Sequence, residues 1–197
     1  MIIDGKEIAK QIEEETKKRV ETLTEKRGRM PRLVLICVGN GDAELYVKNI
    51  AKRCEEIGIE AKIEAFPASA SEREVTNLIK VLNADKGADA IVVHRPMPIP
   101  EAKIIATVDP RKDAYGYFVP SRACVPNAVL AILERSGSVI AGKHAVVISR
   151  NKYHGIPLAQ LLLKKDATVT VCHSKTFDLP WHTSQADILV SAAGKPG

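Results

Sequence analysis

Aromatic residues make up only 4% of this 197-residue chain, and no apolar run approaches the ~20 residues that a membrane-spanning helix needs. Apolar runs such as residues 33–38 and 90–93 have the length of strands, so no membrane partner is expected. The opening Met-Ile-Ile-Asp-Gly-Lys lacks a basic start followed by an apolar segment, and Asp4 and Glu7 argue against a transit peptide; a cytoplasmic location is the expectation. The four cysteines, Cys37, Cys54, Cys124 and Cys172, form no C-x-x-C pair and read as reduced thiols. The five histidines show no metal-ligand spacing, and no Ser/His/Asp arrangement is recognisable, so zinc and nucleophilic-serine chemistry are not expected. A Gly-x-Gly-x-x-Gly phosphate loop, internal repeats and low-complexity tracts are absent as well.

What is present is an ordinary globular composition, 45% hydrophobic and 27% charged, long enough for one large domain or two small ones. The net charge of +5 raises a nucleic-acid partner as one reading. Lysines and arginines alternate with glutamates, however, Lys10 beside Glu13–Glu15 and Arg53 beside Glu55 and Glu56, which is the pattern of solvated helix faces rather than a specific basic groove.

The periodicity alternates between helix and strand. Ile8, Ile12, Val20 and Leu23 mark one stripe of a long amphipathic helix over residues 6–26. Residues 33–38 then form an uninterrupted apolar strand, buried on both faces, that ends in Gly39-Asn40-Gly41-Asp42. A helix over 43–58, a strand over 60–66, a helix over 71–84 opened by a Ser71/Glu74 capping box, and a strand over 90–94 follow. Six prolines between Arg95 and Pro126 mark an irregular connector. After it come a helix over 127–135, a strand over 144–148, a helix over 155–164 and strands over 168–172 and 188–192, a Rossmann-like order. The expected fold class is α/β: an N-terminal α/β domain over 1–123 and a Rossmann-like nucleotide-binding domain over 124–197, with a cleft between them. The second reads as incomplete, because doubly wound domains continue past such a strand; a homodimer covering the exposed edge is the corresponding expectation.

Parallel strands present their functional side chains at their carboxyl ends. There, Ser149, Arg150, Asn151 and Gly155 occupy a strand-to-helix turn that is either an anion site or an ordinary connection. His173 and Ser174, followed by Lys175 and Thr176, form a polar turn that suits a phosphate or plain surface equally. Tyr46 starts a helix just past the first strand and faces either a crevice or the core; His94, Asp113 and Tyr115 could approach the same place.

Taken together, several segments resemble the bifunctional methylenetetrahydrofolate dehydrogenase/methenyltetrahydrofolate cyclohydrolase (FolD) family. They are Ile3-Asp-Gly-Lys6, Val38-Gly-Asn40, Tyr46-Val47, Cys54-Glu-Glu-Ile-Gly58, Leu82-Asn-Ala-Asp85, Asp89-Ala-Ile-Val-Val93, Asp109-Pro110 and Lys112-Asp113. Further on stand Gly142-Lys-His-Ala-Val-Val-Ile148, the run from Ala167 to Thr176, Ala186-Asp-Ile-Leu-Val190 and Gly194-Lys-Pro-Gly197. The resemblance implies NADP as cofactor, hydride transfer from 5,10-methylenetetrahydrofolate and hydrolysis of the methenyl product. It also implies folate-site roles for a tyrosine, here Tyr46, and for a lysine four residues later, and it assigns the NADP 2′-phosphate to Arg150 and Ser174.

The chain departs from the family pattern at the site itself. Ile50 stands at the lysine position, which removes an ammonium and its proton; Lys48 and Lys52 sit two residues away on other helix faces. The family's Gln-Leu-Pro-Leu-Pro reads His94-Arg-Pro-Met-Pro98, Tyr115 replaces the pterin-contacting aspartate, and Gly-Arg-Ser reads Ser149-Arg150-Asn151. The family's late Pro-Gly-Gly loop has no counterpart up to Gly197. The expectation is a folate enzyme of one-carbon metabolism without cyclohydrolase activity; the alternative is a catalytically inactive pseudoenzyme acting as an NADP-binding or partner-binding scaffold.

Overall fold

The computed structural model describes residues 2–39 and 41–194, apart from the Asp42 side chain. Asn40, Lys195, Pro196 and Gly197, quoted in the motifs above, lie outside the described residues. The chain divides into two units, Ala9–Tyr115, and the stretch from Gly116 onward joined by the first residues to Ile8.

Helix α1 (Gly5–Arg27) starts where the Asp4 carboxylate accepts the Lys6 N–H at 2.9 Å, satisfying a donor that has no partner within the helix. Ile8 and Val20 bury, but Leu23 stays on the surface, so the apolar stripe is shorter than its periodicity suggests. The first unit continues with β1 (Arg32–Val38), α2 (Asp42–Glu56), β2 (Glu60–Phe66), α3 (Glu72–Ala84), β3 (Ala90–Val93) and α4 (Glu101–Thr107). Its three strands are parallel in the order β2-β1-β3, with Leu35 level with Ile63 on one side and Val92 on the other. The central strand is therefore covered on both faces, and all of Val34–Val38 is buried, which is why its sequence carries no polar alternation. Helix α3 opens with the expected capping box, Ser71 Oγ accepting from Glu74 N–H and the Glu74 carboxylate from Ser71 N–H.

The second unit holds α5 (Cys124–Arg135), β4 (His144–Ile148), α6 (Gly155–Leu163), β5 (Thr168–Cys172), α7 (Leu179–Ser184) and β6 (Ile188–Ser191), again a parallel sheet, in the order β5-β4-β6. Leu130 of α5 and Leu158, Leu161 and Leu162 of α6 close over Ala145 and Val147 to form its core. No helix among the described residues is long and apolar enough to cross a membrane. Cys37, Cys54 and Cys172 are buried, and burial pushes the Cys37 and Cys54 thiols up, which keeps them protonated and unreactive.

The connector is more ordered than its prolines suggest. Pro100 precedes α4, Pro120 opens a short 3-10 turn, Pro120–Arg122, and Pro126 sits in the first turn of α5, which begins at Cys124, three residues before the expected start at 127. Proline is compatible with each place because the first amides of a helix lack intrahelical partners anyway.

One part-exposed ionic junction fixes the start of the first sheet. The Asp89 carboxylate accepts from Arg29 through both Nη1 (2.7 Å) and Nη2 (2.9 Å), from Arg27 Nη1 (2.7 Å) and from the Arg32 N–H (2.9 Å). It thereby ties the end of α1 to the first residues of β1 and β3. The Arg29 guanidinium, with the Arg32 amide and Arg27, holds this carboxyl well below the usual carboxylate range. A depressed folded-state pKa contributes stability that is full above the unfolded value, ~3.9, and fades as pH falls below it. Asp89→Asn is expected to cost about 2 kcal/mol at pH 7 in urea unfolding, with the gap to the unsubstituted chain narrowing below pH ~4. A gap unchanged down to pH ~2 would show that the carboxylate's charge is not what holds the junction.

Candidate functional site

In a parallel sheet of order 2-1-3 the chain leaves β1 toward β2 and returns on the other side of β1 as β3, and ligand crevices of such sheets lie at the carboxyl end of the strands. In the first unit that end belongs to β1, beside β3. His94 follows β3 directly and extends the ladder, its N–H donating to the Ile36 carbonyl at 2.8 Å. Its ring stacks on Tyr46 of α2, with centroids 4.9 Å apart and planes inclined by 29°. Tyr46 is 54% exposed, so it stands at the rim of the crevice rather than in the core. Burial pushes the His94 imidazole below its ordinary pKa, which leaves it neutral at pH 7.

One helical turn beyond Tyr46, Ile50 packs against the buried cluster Leu35, Cys37, Val47, Ala51 and Val92. Tyr115 packs against the same cluster. Its position follows from the sheet: Ile91 N–H donates to Lys112 O at 2.7 Å and Ala114 N–H to Ile91 O at 3.2 Å, so residues 112–114 run alongside β3. Asp113, 4% exposed, turns the chain by accepting the Tyr115 N–H at 3.2 Å. The four residues Tyr46, Ile50, His94 and Tyr115, read separately from the sequence, thus converge within one unit. Lys48 is paired with Glu44 at 2.7 Å, and Lys52 lies with Asn49, Arg53 and Glu56 around a different depression. Arg95 is committed as well, in a two-pronged ion pair with Glu101 that ties the loop after β3 to α4.

In the second unit the turns after β4 and β5 lie side by side, since Ile148 and Cys172 are paired in register. Ser149 is buried, and its hydroxyl accepts the Asn151 N–H at 3.3 Å; the Asn151 side-chain oxygen accepts from Tyr153 N–H at 2.8 Å. Two N–H groups at the start of α6, of His154 and Ile156, donate to the Asn151 carbonyl. These bonds shape the turn and leave anion recognition chiefly to side chains: Arg150 is exposed there, and Ser174 and Lys175 are exposed on the neighbouring turn. That second turn is held by His173 N–H donating to Thr176 Oγ1 at 2.8 Å and by Lys175 N–H donating to His173 Nδ1 at 3.1 Å. Sequence reasoning left out Lys152, whose ammonium sits 4.7 Å over the Tyr153 ring, and Tyr153 itself, which meets Tyr117 edge-on at 5.1 Å. Charge density in 150–154 was the available signal.

Gly155 provides the close approach that a nucleotide-binding turn requires. A Cβ at this position would stand 2.1 Å from the Ser149 carbonyl oxygen and 2.6 Å from its carbonyl carbon, both backbone atoms that cannot swing away. The helix therefore begins against the end of β4 only because the side chain is absent, the same physical demand that places a glycine at helix–strand contacts in dinucleotide-binding turns. The neutral, aromatic-rimmed crevice of the first unit suits a planar organic ligand, and the two turns of the second suit a phosphorylated one. Gly155→Ala is expected to destabilise the chain by about 3 kcal/mol, measured by denaturant unfolding, because the backbone must shift. A cost no larger than that of an ordinary surface substitution, about 0.5 kcal/mol, would show that the turn relaxes freely.

Comparison with known proteins agrees with this geometry. Residues 3–114 match the model of the tetrahydrofolate dehydrogenase/cyclohydrolase catalytic domain, and residues 123–197 match that of the family's NAD(P)-binding domain. The bifunctional protein FolD of Caldanaerobacter subterraneus subsp. tengcongensis is 42% identical over 212 residues, spanning 99% of this chain and 73% of that protein. Among solved structures, the bifunctional FolD of Campylobacter jejuni has 34% identity and a TM-score of 0.90, covering 97% of this chain and 73% of its own. The FolD of Trypanosoma brucei, solved with NADP and an inhibitor, has 33% identity and a TM-score of 0.92, covering 100% and 73%. By both family models and by identity over nearly its whole length, the chain belongs to the tetrahydrofolate dehydrogenase/cyclohydrolase family.

Proposed function

We propose that this protein is an NADP-dependent 5,10-methylenetetrahydrofolate dehydrogenase that lacks cyclohydrolase activity. The observation that carries the reading is the packing of Ile50 against Leu35, Cys37, Val47, Ala51 and Val92. An aliphatic side chain seated there offers neither the charge nor the proton that hydrolysis of a methenyl group draws on. Hydride transfer asks less of the side chains, because it rests on holding donor and acceptor in contact and excluding water.

In this reading residues 1–123 serve the folate and residues 124–197 the dinucleotide. Tyr46, backed by His94, offers a ring face and a hydroxyl to the folate, and Tyr115 closes the crevice from the side of β3. Arg150 and Ser174 would hold the 2′-phosphate, with Ser149, Asn151, Gly155 and His173 shaping the two turns. Bound NADP would supply the hydride acceptor. Exposed Val139 and Leu189, beside Leu133 and Ile188, are the surface that a second copy would cover in a homodimer; a stable monomer at micromolar concentration in analytical ultracentrifugation would oppose that assignment.

With purified protein, NADP and 5,10-methylenetetrahydrofolate, NADPH is expected to form while the methenyl product accumulates and decays no faster than in buffer. Arg150→Ala is expected to raise KM for NADP about tenfold, the worth of about 1.4 kcal/mol, with a much smaller effect on kcat. Catalysed decay of the methenyl product would refute the loss of cyclohydrolysis. Folded protein that binds NADP without turnover would instead identify an inactive scaffold.

A further inference from the structure

The chain has one tryptophan and three phenylalanines, and two of these residues, Phe177 and Trp181, stand four positions apart just beyond β5, 91% and 58% exposed. They follow the run from Ala167 to Thr176 that carries part of the family resemblance and lie outside it. The backbone on either side of Phe177 is fixed. Before it, residues 173–176 close a turn, with Thr176 N–H donating to the His173 carbonyl at 2.9 Å and His173 N–H to Thr176 Oγ1 at 2.8 Å. Ser174 and Lys175 are exposed at the tip of that turn. After it, Asp178 adopts the left-handed conformation, φ 48°, and its carboxylate accepts the Trp181 N–H at 3.2 Å. The Trp181 ring stands edge-on to His182, with centroids 4.9 Å apart. Phe177 is thus an exposed ring on a backbone pinned at both ends.

We propose that Phe177 is the face on which the adenine base of the bound dinucleotide stacks. The proposal rests on the dinucleotide reading of the second unit and deepens it with a residue that neither the motifs nor the resemblance singled out. Reach is the first part of the argument. Three residues of chain span at most about 11 Å, so the backbones of Phe177 and Ser174 lie within the length of one nucleotide. Ser174 and Arg150 each follow by two residues the paired strand ends Cys172 and Ile148. A ribose phosphate held by those two side chains therefore has the phenyl ring within range of its base. Chemistry is the second part. Stacking covers the apolar faces of both rings and asks for no hydrogen bond, while Arg150, Lys152 and Lys175, all exposed, supply charge for the phosphates. The carboxylate of this stretch, Asp178, is occupied in capping. Size is the third. A stable protein partner covers about 800 Å² on each side, whereas Phe177 is bordered in the chain by exposed Lys175 and Asp178, which suits a small planar ligand instead. Because the turn and the cap already hold the backbone, little ordering is left for the ligand to impose.

Isothermal titration of the full chain tests this with two probes: adenosine 2′,5′-bisphosphate, which carries base and phosphates, and inorganic pyrophosphate, which has no base. Phe177→Ala is expected to weaken the bisphosphate about tenfold and to leave pyrophosphate within about twofold. Phe177→Tyr keeps the ring and is expected to stay within about twofold of the unsubstituted chain for both probes. Arg150→Ala is expected to weaken both. The exposure of Phe177 predicts an unchanged urea midpoint for either replacement, which separates lost stacking from lost structure. Bisphosphate affinity indifferent to Phe177→Ala, or a loss shared equally by Phe177→Tyr, overturns the proposal while leaving the dinucleotide reading in place. An unsubstituted chain that does not bind the bisphosphate sinks that reading and the proposal with it, so the two failures are distinguishable.

Discussion

A parallel strand buried on both faces has nothing polar to present except at its ends, and β1 and β4 impose that condition on everything around them. Each is the middle strand of three, each is flanked by its successor on one side and by a later strand on the other, and each is followed by a turn into a helix. With side chains along the strands consumed by packing, the only places where hydroxyls, imidazoles and guanidinium groups can gather are the turns at the carboxyl ends. Tyr46 and His94 sit at one such end, and Ser149, Arg150, His173 and Ser174 at the other. The two units differ in chemistry because their turns differ, not because their sheets do.

Charge is distributed according to the same constraint. The amino end of the first sheet is held by an ionic junction, Asp89 with the Arg27 and Arg29 guanidinium groups and the Arg32 backbone N–H, and the end of α3 by the Lys112 ammonium, which donates to the carbonyls of Leu82 and Asp85. Both are far from the carboxyl end by construction of a parallel strand. Fixed charges there stabilise the frame. At the carboxyl end Tyr46 and His94 form an aromatic rim, and Arg95 is paired with Glu101.

The strands were legible in the sequence because their apolar runs are short and bounded, and β2, β4 and β5 begin and end where the pattern places them. The short helices α4 and α7 were not, since seven and six residues give too little length for a 3.6-residue period. For α7 a weak signal existed: Asp178 caps the helix by accepting the Trp181 N–H, and Pro180 occupies its first turn. At the site, the gathering of Tyr46 and His94 could be read from their places after β1 and β3. The shared seat of Ile50 and Tyr115 could not, because it joins a helix face to a segment beyond β3, and no local period encodes a contact of that range. Leu23 shows the opposite limit, an apolar residue in correct helical phase that stays 38% exposed.

The two turns also differ in how much change they tolerate, and the reason is geometric. At Gly155 the neighbour is backbone, 2.1 Å from where a Cβ would stand, so the demand on that residue is set by the path of β4 itself and cannot be relieved by altering another side chain. At positions 50 and 115 the neighbours are side chains, Leu35, Cys37, Val47, Ala51 and Val92, which can adjust where backbone cannot. The turn after β4 is consequently constrained by the fold that carries it, whereas the apolar seat in the first unit is set by side chains packed above its sheet. On that argument, substitution is tolerated better at the side-chain seat of the first unit than at Gly155.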